Sequence, residues 1–296
     1  MSYNGIILNG IILKGIGGFY YVKTADGVLE CRAKGIFRRR GITPLAGDRV
    51  TVEGDQSGYM VADIEPRKNC FARPPITNVD KLFLVVSSCD PKPNILVLDK
   101  LIAISCKNKI KPILVLTKTD IASAEDFVSV YTHAGYRVID LRADESCGFA
   151  EIRDQARDSL CVFIGNSGVG KSTLMNQLCP SLELETGVTS KKLGRGKHTT
   201  RAVELFEFEG GFIADTPGFS AVDFEHSTLI VKDEIANCFT EFEPYLNSCY
   251  YTSCSHTVEK GCAVLEAVNE GKIEKSRHES YVAMYQKARE NESNKY

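Results

Sequence analysis

The chain of 296 residues has no apolar run approaching the roughly 20 residues of a membrane span, so no membrane-spanning helix is expected within it. It also lacks a charge imbalance: 36 Lys and Arg against 38 Asp and Glu leave a formal net charge of −2, so any case for nucleic-acid binding must be local. An even, closely spaced cysteine framework is missing too. The 11 cysteines are odd in number and scattered over a long chain, which argues against a secreted disulfide scaffold. No secretory leader is expected either. Ile6 to Ile16 is interrupted by Asn9, Gly10 and Lys14, and no basic segment precedes it. The expectation is a cytoplasmic, membrane-free protein of ordinary globular composition, 25% charged and 43% hydrophobic.

What is present is organised around Gly165-Asn166-Ser167-Gly168-Val169-Gly170-Lys171-Ser172. The apolar run Leu160 to Ile164 before it reads as a buried strand, and Thr173 to Leu178 after it reads as a helix. Strand, glycine-rich turn and helix is the context a phosphate-binding loop requires. Glycines let the backbone wrap a phosphate, while exposed N–H groups and the helix N-terminus supply positive field. Lys171 would reach the β- and γ-phosphates, and the Ser172 hydroxyl would hold Mg²⁺. Gly165 through Thr173 are therefore the expected phosphate-side contacts. The bland alternative is a chance glycine-rich turn, which would not fill every fixed position between the right flanks.

Ahead of this stretch, residues 1–70 read as short strands separated by Asn-Gly, Gly-Gly, Asp-Gly and Gly-Asp turns, with Ile6-Ile7-Leu8 and Ile11-Ile12-Leu13 as separate strands. A small barrel of the oligonucleotide-binding type is the economical architecture. Across residues 1–73, eleven Lys or Arg stand against seven acids, and Arg38-Arg39-Arg40 falls in an expected loop. That run is either a solvated loop or a contact to RNA phosphates. Residues 71–78, with Pro74-Pro75, read as a linker. Strands and helices then alternate from residue 79, giving an expected α/β domain over 79–225 with a mainly parallel sheet, and a helical domain over 226–296.

Thr117-Lys118-Thr119-Asp120 follows an apolar strand, the place where a GTPase reads its base. The Asp120 carboxylate would accept the N1–H and N2 protons of guanine, with the Lys118 stem along the base plane. Thr117 stands where Asn is usual and still offers a hydroxyl. The next loop, at Arg142-Ala143, would present the Ala143 N–H to guanine O6, although Arg142 replaces the usual Ser. After the phosphate loop, Ser190 to Thr200 is basic and glycine-rich, the composition of a mobile switch loop. It leads to Asp215-Thr216-Pro217-Gly218, 44 residues beyond Lys171, which has the form of the second metal and γ-phosphate motif. Asp215 would stand near Mg²⁺ through water, Thr200 would ligate it, and the Gly218 N–H would touch the γ-phosphate. Asp120 precedes Lys171, whereas most GTPases have the reverse order; the same folded site is still expected if the chain is circularly permuted and enters the sheet elsewhere.

GTPases need a group that orients the attacking water, often a Gln just after the second motif. Phe219 occupies that place here and cannot serve. His198, two residues before Thr200, is the nearest candidate, and its competing reading is an RNA contact beside Arg195 and Lys197. Beyond residue 225, Cys249, Cys254, His256 and Cys262 form a Cys₃His set within fourteen residues, the closed donor set of one structural Zn²⁺. Cys238 lies outside it and reads as a core cysteine.

Taken together, TKxD, GNSGVGKST, GRGKHTT, DTPGF and C-x4-C-x-H-x5-C resemble the circularly permuted, ribosome small-subunit-dependent GTPases, the RsgA/YjeQ/YloQ family. The resemblance covers nearly the whole chain and departs from the family at Lys197, where Arg is usual, and at Arg142. It implies a GTP hydrolase, working as a monomer, that binds the small ribosomal subunit and its rRNA late in assembly and is switched by subunit-stimulated hydrolysis to GDP. It also points to His198 for catalysis, alongside Lys171. Two rival functions remain at this stage: an RNA-binding sensor of guanine nucleotides without turnover, and an ATP-dependent enzyme.

Overall fold

The computed structural model describes residues 6–56, 58–141, 146–182, 184, 203–215 and 230–293. Five strands close a barrel: β1 (Ile6–Ile16), β2 (Phe19–Thr24), β3 (Gly27–Ala33), β4 (Arg49–Asp55) and β5 (Gly58–Ile64), in the order β1-β2-β3-β5-β4. Alternation makes it possible. Along β4, Val50, Val52 and Gly54 point inward while Arg49, Glu53 and Asp55 stay in water. Ile12, Val22, Cys31, Phe37, Val50, Val52 and Val61 fill the interior.

Three local expectations are corrected here. Asn9-Gly10 is no turn: β1 runs through it, because Gly10 lets the strand press onto β2, where a Cβ would lie 2.5 Å from Lys23 O and 2.6 Å from Val22 Cγ1. Arg38 and Arg39 belong to a short helix, α1 (Gly35–Arg39), anchored by buried Phe37, with Arg40 at its C-terminal cap. Residues 71–78 form no open linker. They contain most of a hairpin, β6 (Cys70–Ala72) and β7 (Pro75–Thr77), with Phe71 and Ile76 each 1% exposed. Two prolines signalled a break, but apolar Phe71 and Ile76 had surface to bury.

The α/β region supplies β8 (Lys81–Ser87), α2 (Ile95–Lys107), β9 (Ile113–Thr117), α3 (Glu125–His133), β10 (Arg137–Leu141), α4 (Ser146–Ala156), β11 (Leu160–Gly165), α5 (Lys171–Leu178), β12 (Glu204–Phe208) and β13 (Gly211–Asp215). One six-stranded sheet has the order β10-β9-β8-β11-β13-β12. β8, β9 and β10 run parallel, as do β11 and β13, while β12 is antiparallel at the edge. Strand order reverses between β8 and β11, the switch point where sheets of this class place ligands. β9 and β11 are buried throughout, which matches their unbroken apolar runs.

The C-terminal stretch contains α6 (Lys232–Ile235), α7 (Ala263–Asn269) and α8 (Lys275–Ser293). Phe239, Phe242, Cys262, Val264, Ile273 and Tyr281 form its core, joined by Ala103 of α2 and by Cys238, the expected core cysteine. Contact grouping gives two compact units: one holds 1–81, 153–163 and 172–219, the other 82–152, 164–171 and 220–296. Among the described residues no helix is long and apolar enough to cross a membrane.

Candidate functional site

β11 ends at Gly165 and α5 begins at Lys171, so the phosphate-loop sequence does occupy a strand-to-helix turn. Asn166, Ser167 and Gly168 are exposed, whereas Val169 is 4% exposed and pins the loop inward. Gly168 and Gly170 have φ of 85° and 91°. An L-residue at either would be held left-handed at about 1–2 kcal/mol each. Lys171, Ser172 and Thr173 open α5, where unsatisfied N–H groups and the helix dipole favour an anion.

Two side chains of the turn from Thr117 to Asp120 reach this loop. The Thr117 hydroxyl, 7% exposed as a residue, donates to Val169 O at 2.7 Å and lies 3.3 Å from Val86 O. Expected to face the nucleotide, that hydroxyl is spent on loop backbone instead. Lys118 Nζ donates to Gly168 O at 2.9 Å and to Asp90 O. The Lys118 backbone is left-handed, with φ 61°, a conformation costing a non-glycine residue about 1–3 kcal/mol. Its carbonyl accepts from Ser88 Oγ at 2.7 Å and from the Ile121 N–H at 3.0 Å, contacts that offset the strain. Asp120 stands exposed beyond the turn. Asp215 is the last residue of β13, beside which β11 runs with Val162 opposite Ala214. Ala143, His198, Thr200 and Gly218 lie outside the described residues, as do Arg142 and the Ser190–Thr200 loop.

The metal cluster comes together fully. The donor atoms of Cys249, Cys254, His256 and Cys262 all lie within 4.8 Å of one another. Cys249 Sγ is 3.8 Å from Cys262 Sγ, and His256 Nδ1 is 3.4 Å and 3.5 Å from those sulfurs. Tetrahedral zinc, with Zn–S about 2.3 Å and Zn–N about 2.0 Å, requires edges of about 3.8 Å and about 3.5 Å. The donor set fits. Burial holds the His256 imidazole below its ordinary pKa, so the ring is neutral and able to ligate. Burial also pushes the Cys254 thiol up to about 12, so metal binding there would release a proton.

Residues that the sequence did not single out shape this cluster. The Glu259 carboxylate accepts from the N–H groups of Ser255 (2.8 Å), Thr257 (3.0 Å) and Val258 (3.1 Å) and from Ser255 Oγ, tying the ligand loop into one conformation. From α8, Tyr281 Oη donates to Ser255 O at 2.7 Å and His278 Nε2 donates to His256 O at 2.8 Å. These bonds hold His256 left-handed at φ 53°.

Comparison with known proteins agrees with this geometry. A family model described as RsgA GTPase matches residues 64–225, and one described as RsgA N-terminal domain matches 9–60. The chain is 40% identical over 295 residues to the small ribosomal subunit biogenesis GTPase RsgA of Caldanaerobacter subterraneus subsp. tengcongensis, covering 98% of each. The chain belongs to the RsgA GTPase family. The RsgA protein of Halalkalibacterium halodurans is 41% identical, with 95% of this chain and 97% of that one covered. Two solved structures resemble it at TM-score 0.80: YloQ, a circularly permuted GTPase, at 32% identity with 98% of both chains covered, and YjeQ from Thermotoga maritima at 28%, with 96% of this chain and 99% of that one covered.

One further cluster escaped the sequence reading. Arg277, one of the basic residues of α8, is fully buried. Its guanidinium lies 4.6 Å from the Phe239 ring centroid, donates to Glu241 Oε1 at 2.7 Å and bonds Asp99 of α2, which also accepts from Tyr131 Oη of α3 at 2.9 Å. Burial holds the Asp99 carboxyl above the usual range, against the pull of Arg277. An isolated acid on an apolar helix, with a lone arginine elsewhere, was the only signal available.

Proposed function

We propose that this RsgA-family chain hydrolyses GTP as a late assembly factor of the small ribosomal subunit, with hydrolysis setting its residence there. The observation that carries the nucleotide reading is the bonding of Thr117 and Lys118 to Val169 and Gly168: a base-reading turn and a phosphate loop are joined through the loop's own carbonyls. Guanine rather than adenine follows from Asp120, whose carboxylate suits two N–H donors on one base edge. The second reading, a sensor without turnover, keeps the same contacts and differs only in chemistry.

Gly165 through Thr173 would cradle the phosphates, Lys171 neutralising charge that develops on the β- and γ-oxygens. Ala143 and Gly218 would add backbone N–H contacts to base and γ-phosphate. Ser172, Thr200 and Asp215 are the residues that would hold Mg²⁺, which would supply positive charge against the phosphates. His198 would orient water for in-line attack, leaving GDP and phosphate. Zinc held by Cys249, Cys254, His256 and Cys262 is structural in this scheme, because four protein donors leave no open position.

The division into a barrel over 1–70, a permuted GTPase domain over 79–225 and a zinc domain over 226–296 is the functional division we adopt. RNA contact by the barrel is supported by exposed Arg38, Arg39, Arg40 and Arg49. Five other cations of this segment, Lys14, Lys23, Lys34, Arg67 and Lys68, are instead in ion pairs. The protein would act as a cytoplasmic monomer. Phosphate release from GTP, with and without purified small subunits, tests the proposal: stimulation by the subunit is expected, and an unchanged rate overturns the assembly role.

A further inference from the structure

Two threonine hydroxyls flank the base-reading turn and bond to different neighbours. Thr117 Oγ1 donates to the phosphate loop at Val169 O. Thr119 Oγ1 donates to Asp140 Oδ1 on β10, the strand that leads towards Ala143. Asp140 sits opposite Leu116 in the sheet register, so the chain turns back after β9 for Thr119 to meet it. Left-handed Lys118 lies between the two threonines, and Asp120 is the residue immediately after the second.

Thr119 and Asp140 line a cavity of about 560 Å³ with Val128 and Thr132 of α3. A turn that borders open space is oriented by its hydrogen bonds, and a carboxylate acceptor makes this one charge-assisted. Asp140 alternates with buried Ile139 and Leu141 on the half-exposed face of the edge strand β10, where its carboxylate can reach the turn.

We propose that Thr119 and Asp140 are positioning residues for guanine selection, fixing the direction in which Asp120 meets the base edge. Neither needs to touch nucleotide. Thr117 and Thr119 then divide the work: the first registers the turn against the phosphates, the second aims its carboxylate. The inference rests on Asp120 reading guanine, and the test separates the two ideas.

Dissociation constants for GDP, IDP and XDP are measured on the full zinc-loaded chain. IDP lacks the 2-amino group that Asp120 would accept. Thr119→Val should lower the GDP-over-IDP preference about tenfold, the scale of one charge-assisted bond, with IDP, which offers Asp120 only its N1–H, weakened less than GDP. Asp140→Ala should do the same, and the double variant should be no worse than either single. Thr119→Ser keeps the hydroxyl and should keep the preference. Thr117→Val should weaken GDP and IDP in parallel. Asp120→Asn should shift preference towards XDP; if it does not, the base reading itself falls. If Asp120→Asn shifts the preference while Thr119→Val leaves the GDP-to-IDP ratio intact, the positioning role alone is overturned. Should Thr119→Val fail to fold by melting temperature or zinc content, Asp140→Ala decides: an unchanged ratio rejects the proposal.

Discussion

The zinc cluster draws its four donors from fourteen consecutive residues, Cys249 to Cys262, and the described structure brings all of them within 4.8 Å. The proposed nucleotide contacts are spread in sequence from Thr117 to Gly218, and several of them, His198, Thr200 and Gly218 included, lie outside the described residues. A metal centre of the first kind is closed by short loops, and each ligand's neighbours in sequence also support it: Glu259 sits three residues from both His256 and Cys262. A centre of the second kind requires the sheet to form first, since the Thr117-to-Val169 bond spans 52 positions. Local motifs suffice for the first centre, whereas a nucleotide site of the proposed kind needs the sheet assembled before its parts can meet.

The largest expected effect tests whether the first centre stands alone. Cys254→Ala removes one of four donors and should abolish stoichiometric zinc, by atomic absorption, because structural zinc binding is worth about 10–16 kcal/mol in small metal domains. GDP affinity should stay within about threefold of wild type. Loss of nucleotide binding would show that the two centres are not separable. His198→Ala addresses the other side: subunit-stimulated phosphate release should fall by about 10²–10⁴, with zinc content and GTP affinity intact. Loss of subunit binding in a non-hydrolysable analogue would favour the RNA-contact reading instead.

Arg277→Ala should blur the contrast, because it leaves Asp99 and Glu241 buried without their cation. Removing one partner of a buried ion pair costs about 3–5 kcal/mol, so the urea midpoint of the zinc-loaded protein should drop clearly. A shift within error would mean the carboxylates find other partners. The smallest effect is Glu259→Gln, which substitutes an amide N–H₂ for one acceptor oxygen facing backbone N–H groups. Zinc affinity, by chelator competition, should fall about 10–100-fold, the range for residues that support metal ligands. Unchanged affinity would mean that α8 alone holds the loop.

Much of this was legible in the residues. The strand-to-helix turn from Gly165 to Lys171 and the Cys₃His cluster are short, ordered patterns whose chemistry dictates their spacing, and both stand where the residues put them. The barrel emerged from alternation and turn residues, yet Asn9-Gly10 misled, because a glycine that admits a close strand looks the same in sequence as one that makes a turn. Pro74-Pro75 misled in a similar way. Prolines limit ladder bonding but do not prevent a two-stranded hairpin when Phe71 and Ile76 supply apolar faces. Arg277 and Asp99 were invisible for a different reason. Their burial depends on each other across 178 positions, and no local pattern encodes a pair of that kind.

Successive residues of α8 face opposite duties: Arg277 bonds Asp99 of α2, while His278 bonds the zinc-loop carbonyl of His256. One helical turn is thus shared property of two structures, and this limits how the chain can be cut. A fragment starting near Ile230 would carry Arg277 and the Phe239 ring it stacks on, but would leave Asp99, Tyr131 and Ala103 behind. Its guanidinium would face water on one side and its aromatic core would be open where α2 had been. The zinc lobe is therefore a poor cassette for fusion or grafting, and a protease that nicks the chain before it should release no freely diffusing piece.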